Sequence, residues 1–425
     1  MIAEGLKTSD KVRKLQRSLY GASKEDPRRQ FYSLYDKICR EDVLRKAFRR
    51  ARGNGGAGGL DGQTWEDTNE DDCVKELLEK LKMKEYKPQP IRRVWIPKSN
   101  GKKRPLGIGT VKDRVVQTAI KIVIEPIFEA HFYEHSYGFR PKRGAHQMIY
   151  RVGRLLNSGY KHVYDLDIKG FFDNVNHAML MKMLARRMKD GTMLDLIRRF
   201  MKVPIKDGNN WESSDKGCPQ GSPLSPLLAN IYLCALDFSF LKYTRFKDCV
   251  LLRYCDDCIV VSRDSPAKAQ RLSAKVLGHL KLELNQEKTG TVNMDTPGGR
   301  FNILGFTFLR ASTQKLILTP TKENINEYRR KLRDIINRKN PATMQKIVHE
   351  ASDVCRGWAN YFSPVPGRKV FVDLSKFTFM RMRKLLLRRA KCRSWRRRKY
   401  SFKWIHRNLK FDGPYVAWAK ARSLI

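Results

Sequence analysis

Two short acidic runs hold the residue types best suited to chemistry in this chain. In Val163-Tyr164-Asp165-Leu166-Asp167-Ile168-Lys169-Gly170-Phe171-Phe172-Asp173, a strand would set Asp165 and Asp167 on one face and Leu166 and Ile168 on the other. In Leu251-Leu252-Arg253-Tyr254-Cys255-Asp256-Asp257-Cys258-Ile259-Val260-Val261, two acids interrupt a strand–turn–strand unit that is largely apolar apart from Arg253. Crowded carboxylates are costly unless cations compensate them. Brought together by neighbouring strands, Asp167, Asp256 and Asp257 would hold two magnesium ions. That arrangement clamps the attacking and leaving oxygens of a phosphoryl transfer. One ion would lower the pKa of an attacking hydroxyl, and the other would draw in a triphosphate and stabilise the leaving pyrophosphate. Either run alone leaves an exposed turn with ordinary acids as a second reading; the two together, in so basic a chain, favour the metal site.

Positioning these acids takes a sheet with helices on one side, an α+β arrangement. The pattern predicts a strand over Tyr164 to Ile168, a helix after Asn176 and another from Gly191 to Val203. A Pro/Gly-rich bend at 217–226 precedes Leu227 to Phe240, apolar enough for a buried helix. A helix over Ala267 to Leu280 and short strands near Thr291 to Val292 and Ile303 to Leu309 complete this region. Upstream, residues 1–50 read as helical, and the six glycines between Arg52 and Gly62 break the chain. That stretch suits either backbone contact with nucleic acid or a structural turn, and it lacks the Gly-Lys-Ser/Thr ending of a nucleotide-hydrolase loop. Helical spacing returns from Glu70 to Tyr86. Ile91 to Pro97 and Lys102 to Ile108 then flank an Asn100-Gly101 hairpin signal, and a long helix follows from Val111 to about Phe132. His131 and His135, four apart, read as surface histidines rather than zinc ligands.

The chain has 425 residues, enough for two or three domains. Its 86 Lys and Arg against 43 Asp and Glu give a net charge of +43, which calls for a polyanionic partner. Nucleic acid is the first reading and an anionic membrane the second. With 41% hydrophobic residues the chain can fill real cores, which argues against wholesale disorder. No run of 18 apolar residues occurs, and the first twenty residues lack a signal peptide's apolar core. The nine cysteines form no facing CxxC pairs, which leaves a structural zinc site or an appended zinc nuclease unsupported and predicts a reducing cytoplasm. Residues 311–425 carry 29 Lys and Arg against 7 Asp and Glu, in helical candidates at Asn324 to Ile336, Thr343 to Tyr361 and Lys369 to Arg389. Within 381–410 there are 14 cations and no acid, interleaved with Trp395, Tyr400, Phe402 and Trp404. Such a segment can neutralise phosphates while aromatic faces pack or stack.

The ordered motifs resemble those of the bacterial group II intron-encoded reverse transcriptase/maturase family. Tyr254-Cys255-Asp256-Asp257 is similar to its Tyr-x-Asp-Asp box, with Cys255 where alanine is commoner, and Asp167 to Asn174 to its first carboxylate motif. Gly217 to Asn230, opening Gly-Cys-Pro-Gln-Gly-Ser, resembles the template- and nucleotide-positioning motif, with Ser222 where glycine is frequent. His135 to Pro141 resembles a fingers motif, Leu284 to Thr289 and Asn302 to Phe306 a later palm motif and the primer grip, and Arg356 to Phe362 the signature helix of the maturase thumb.

The resemblance implies an α+β right-hand polymerase with fingers, an RRM-like antiparallel palm and a helical thumb (maturase X domain). The expected parts are an N-terminal helical extension (1–39), fingers (40–160), palm (161–310), helical thumb (311–390) and basic tail (391–425), with no room for an extra nuclease. It implies catalysis by Asp167, Asp256 and Asp257, and metal binding by these with Ile168. Nucleotide contacts would come from Arg104, Ile168, Phe172, Gln220 and Lys288, with Phe172 as the aromatic gate against a ribose 2′-hydroxyl. Nucleic-acid contacts would come from Arg140, Gly305, Arg396, Arg397 and Arg398. The implied cofactor is Mg²⁺, two ions, with Mn²⁺ as a substitute. The implied partners are group II intron RNA, an RNA template with a DNA primer, dNTPs and target DNA, with no membrane. The implied function is RNA-directed DNA synthesis with assistance to intron splicing. The alternatives are a non-catalytic RNA-binding splicing maturase, against which the intact acidic set speaks, and a related defence or CRISPR-associated reverse transcriptase.

Overall fold

Among the described residues, eleven strands in three sheets organise the chain: β1 Ile91–Pro97, β2 Lys103–Ile108, β3 His162–Leu166, β4 Ile205–Asp207, β5 Asn210–Glu212, β6 Cys249–Tyr254, β7 Asp257–Ser262, β8 Gly290–Asn293, β9 Arg300–Ile303, β10 Phe306–Arg310 and β11 Leu316–Pro320. They come from a computed structural model that describes residues 2–97, 101, 103–213, 215–243, 248–390 and 400–423. Two compact units emerge, Met1–Gly144 with Tyr164–Thr291, and Ala145–Val163 with Val292–Ile425. This partition differs from the five parts read off the sequence. The helix Ala145–Asn157 belongs with the C-terminal unit, and the division passes through β3 and β8.

The first unit opens with helices that sequence chemistry explains well. Glu70–Lys82 begins at Asn69, whose side chain accepts from the Asp71 and Asp72 nitrogens, carries three acids in its first turn and ends on Lys80 and Lys82. Val111–Glu129 starts at the Thr110 cap and is buried along most of its length, so it is the spine of this core. A four-stranded sheet follows in the order β2-β1-β4-β5. β1 and β2 pair antiparallel from Arg92↔Ile108 to Pro97↔Lys103, the expected hairpin, although Asn100 lies outside the described residues. β4 joins β1 in parallel and returns through β5. Strands of three residues are too short to show alternation, and sequence patterning did not reveal them.

The second sheet has the order β6-β7-β3-β8. β6 and β7 pair antiparallel from Cys249↔Ser262 to Tyr254↔Asp257, which leaves Cys255 and Asp256 as a two-residue turn. Cys255 sits at φ +60°, a region that non-glycine residues seldom occupy. The helix Ser225–Tyr243 packs against β6.

In the second unit, β11-β10-β9 form a sheet on which Ala145–Asn157 packs. The turn between β9 and β10 is Leu304-Gly305, with φ of 49° and 77°, the left-handed pair that a tight hairpin demands. The helices Lys322–Ile335, Met344–Tyr361 and Lys369–Arg389 match the expected ones, the first two capped by Thr321 and Thr343. Phe402–Leu409 and Pro414–Arg422 were not foreseen. Trp358 and Phe362 of the signature motif are core aromatics: Trp358 lies 4.6 Å from Phe362 and 5.5 Å from Phe371 between ring centres. Among the described residues no helix is long and apolar enough to cross a membrane.

One expectation changes, and one open alternative takes a side. His135 is buried between Tyr133 and Tyr137 rather than at the surface, and half-buried His131 bonds Ser23 through Nε2. The glycine-rich stretch is fastened as a structural turn. Arg92 donates to the Gly58 carbonyl, Arg114 to those of Gly55 and Ala57, and the Trp65 indole to Gly55.

Candidate active site

β3 behaves as its alternation requires. Leu166 and Ile168 are buried, while Asp165 and Asp167 face outward and are half-exposed. β7, beside β3 in the sheet, begins with Asp257, and the turn before it holds Asp256. Four carboxylates therefore crowd one edge of the sheet. Asp257 keeps an open side to solvent, but the protein packed around its carboxyl, and then Asp256, Asp165 and Asp167, push its pKa up to about 6, against a smaller opposing pull from Arg104. Burial, and then Asp167, push Asp165 up to about 6 as well. Asp165 is the acid that sequence reasoning put on the right face and left without a role; its i, i+2 spacing from Asp167 was the available signal.

The next segment supports Asp167 from the other side. The Asn285 nitrogen donates to the Asp167 carbonyl at 2.9 Å, and the Lys169 nitrogen to that of Glu283 at 2.9 Å, with an antiparallel bridge at Ile168↔Leu284. This brings the exposed Lys288 ammonium to 3.6 Å from an Asp167 carboxylate oxygen. Among the described residues no group of three acids, cysteines or histidines is drawn together as a ready metal cage. The chemistry of the donors nonetheless fits a hard divalent cation: the convergent groups are carboxylates, and burial, with their mutual repulsion second, lifts two of the pKa values.

Two residues expected at a nucleotide touch each other. Arg104 Nε donates to Gln220 Oε1 at 3.0 Å, and the Gly107 nitrogen to the Gln220 carbonyl at 2.6 Å. Gly221, at φ +104°, lies where a Cβ would collide with the Gly107 carbonyl oxygen, so this close approach needs glycine. Phe172 is half-buried, edge-on to Phe171, and lines a cavity of about 680 Å³ with Trp95, Trp211, Lys216 and Gln220. Its main chain is anchored, since the Cys218 nitrogen donates to the Phe172 carbonyl at 2.7 Å and buried His177 Nε2 lies 2.7 Å from the Gly217 carbonyl.

The remaining expected contacts fare differently. Arg140 is only 8% exposed. Its guanidinium bonds the Glu129 carboxylate and the carbonyls of Tyr133 and Ser136, so it holds the fold instead of presenting itself to nucleic acid. Gly305 is the hairpin turn of the second unit, where a Cβ would lie 2.8 Å from Asn324 Nδ2. Arg396, Arg397 and Arg398, with Trp395, lie outside the described residues. Tyr400, Phe402 and Trp404 pack among themselves and their neighbours: Tyr400 on Trp404, Phe402 on Phe379. Sequence reasoning also missed a buried ion pair beneath the turn, Arg253 with Asp237, both with fully enclosed side chains.

The chain that builds this edge matches known protein families. A family model described as reverse transcriptase (RNA-dependent DNA polymerase) matches residues 96–308, and the chain belongs to that family. A second, the group II intron maturase-specific domain, matches residues 325–402, which places the chain among the group II intron-encoded reverse transcriptase/maturase proteins. It is 38% identical to the group II intron-encoded protein LtrA of Lactococcus lactis subsp. cremoris, over 51% of this chain and 36% of that protein. It is 32% identical to protein YkfC of Escherichia coli (strain K12), over 65% of this chain and 84% of that one. The chain thus spans about a third of LtrA and most of YkfC. Among solved structures, a telomerase from Candida albicans, determined with a fragment of telomeric RNA, aligns with 79% of this chain and 68% of its own at a TM-score of 0.43 and 13% identity.

Proposed function

We propose that the chain is an RNA-directed DNA polymerase of a group II intron that adds dNTPs to a primer 3′-hydroxyl and assists splicing of the intron RNA as a maturase. The observation that carries this reading is the convergence of Asp167, Asp256 and Asp257 on one sheet edge. Two Mg²⁺ ions, with Mn²⁺ as a substitute, would supply the charge that lowers the pKa of the 3′-hydroxyl and stabilises the leaving pyrophosphate. Asp167, Asp256 and Asp257 would hold them. Ile168 would contribute only through its main chain, because its side chain is buried. Arg104 presents a rigid guanidinium to the triphosphate, and its bond to Gln220 fixes that side chain beside the nucleotide. Phe172, held by the Cys218 nitrogen, excludes a ribose 2′-hydroxyl by bulk. Lys288 offers an ammonium toward the pyrophosphate.

For the RNA, support comes from the second unit. A cavity of about 780 Å³ between the end of Lys322–Ile335 and the helix Lys369–Arg389 is lined by Arg338, Arg381, Lys384 and Arg388, with no acid among its described lining. The Arg381 guanidinium is pushed below its usual range by burial and by Arg333 and Arg388 beside it, a cluster that an RNA phosphate would relieve. Template and target DNA would engage the polymerase site. The test is magnesium-dependent primer extension by the purified chain and by Asp256→Asn. Extension is expected from the first alone, with RNA binding by both; extension by the variant at the unmodified rate overturns the reading.

A further inference from the structure

Strand β6 is apolar except for Arg253, and that arginine has no exposed surface. Each of its three guanidinium nitrogens has a partner. Nε donates to Asp237 Oδ1 at 2.8 Å and one terminal nitrogen to Asp237 Oδ2 at 2.5 Å. The other terminal nitrogen donates to Asn230 Oδ1 at 2.8 Å and to the Cys255 carbonyl at 2.9 Å. Asp237 and Asn230 both come from the helix Ser225–Tyr243. As a way of fastening strand to helix, this pair is inefficient. Desolvating two ions can cost more than their attraction returns, and apolar side chains of similar volume often hold such an interface equally well. What apolar side chains cannot supply is a donor to the Cys255 carbonyl.

That carbonyl belongs to the two-residue turn that presents Asp256. Cys255 is held at φ +60°, which turns its peptide into the protein, where Arg253 meets it. The opposite side of the turn is closed by the segment His135–Gly138. The Arg253 nitrogen donates to the His135 carbonyl at 3.0 Å and the Tyr137 nitrogen to the Arg253 carbonyl at 2.8 Å. At Gly138 a Cβ would collide with the Cys255 nitrogen. Asn230 joins the two sides, because its Nδ2 donates to the Gly138 carbonyl at 2.9 Å while its Oδ1 accepts from Arg253.

We propose that Arg253 is a positioning residue for polymerisation: clamped by Asp237, it holds the Cys255 carbonyl, sets the plane of the 255–256 peptide and so aims Asp256 and Asp257 at the metal ions, with Asn230 coupling that setting to Gly138. This rests on the proposed polymerase site. Unmodified protein that fails to extend a primer defeats that reading itself, whereas extension that is indifferent to Arg253 defeats only the present inference.

The discriminating variant is the double replacement Arg253→Met with Asp237→Leu, which removes both charges and keeps apolar volume. It is expected to fold, with a melting temperature near or above the unmodified one. Its kcat should fall about 30-fold, its KM for dNTP should change less than threefold, and the Mg²⁺ concentration for half-maximal activity should rise severalfold. Arg253→Lys, which keeps the charge beside Asp237 but cannot reach both partners, should lose about tenfold in kcat and recover part of it at high Mg²⁺. Asn230→Ala, which leaves the ion pair intact, serves if the others do not fold; it should raise the Mg²⁺ midpoint with a smaller loss of kcat. A merely structural role predicts activity in proportion to folded protein at every Mg²⁺ concentration. That outcome, or a folded double variant with unmodified kcat, overturns the proposal.

Discussion

The acidic edge of β3 and β7 and the basic face of the helix Lys369–Arg389 concentrate opposite charges by opposite means. At the acidic edge each group is fixed from several directions. Asp167 is braced by Asn285 and Lys288, and the turn bearing Asp256 by Arg253, Asn230 and Gly138. On the basic face Arg338, Lys384 and Arg388 are exposed, and Arg381 is tied at the Ile336 carbonyl. The first region places few charges, each held in one position; the second places many, most of them open to solvent. Precision at a reacting centre is a matter of ångströms, whereas attraction for a polyanion adds up over phosphates.

That contrast breaks most sharply at Asp256. Asp256→Asn should lower primer extension by roughly 10³-fold or more while changing RNA affinity less than about twofold. Equal losses in both would merge the two regions into one. Next comes Phe172→Ala, for which the ratio of dNTP to rNTP incorporation should drop by about 10- to 100-fold, measured in single-nucleotide extension. An unchanged ratio would return Phe172 to a purely packing role. On the basic side the effect should be smaller and graded. Arg381→Gln with Arg388→Gln should weaken RNA binding by roughly tenfold and flatten the logarithmic salt dependence by about one to two. Extension of a short primer on a short template should be spared, and an unaltered salt slope would remove this cavity from the RNA-binding surface.

The smallest expected effect concerns stability. In metal-free protein the Asp257 carboxyl is raised from 3.8 to about 6, so between those values the folded chain takes up a proton that the unfolded chain does not. Its contribution is therefore present below about pH 4, lost as pH rises through 6, and absent at neutrality. Asp257→Asn should accordingly raise the melting temperature in EDTA by a few degrees at pH 7.5 and leave it unchanged at pH 4. Calorimetry in the two buffers decides; a lower melting temperature at pH 7.5 would show that the carboxylate is compensated.

Much of this was legible because the physics was local. Alternation set the face of Asp165 and Asp167, and an apolar run broken by two acids marked the β6–β7 turn. What was hidden depended on partners distant in sequence. Arg140 sits in a motif that matches its family, yet Glu129 decides whether its guanidinium faces solvent. Arg253 was visible as a lone cation in an apolar strand, but nothing local announced Asp237, sixteen positions earlier. The β4–β5 hairpin escaped because three-residue strands have no period to detect. The grouping of Ala145–Asn157 with the C-terminal unit depends on packing against β11, far along the chain.

The turn carrying Asp256 also contains its own clock. Cys255 is a free thiol with 2% of its surface exposed, and burial, then the charge of Asp256, drive its pKa well above the ordinary thiol value. A thiol so shielded reacts with an alkylating reagent only when the surrounding structure opens. The rate at which Cys255 is alkylated, read by mass spectrometry of its peptide, therefore measures how often the Cys255–Asp256 turn comes apart. Anything that tightens the turn should register as slower labelling at that one sulfur.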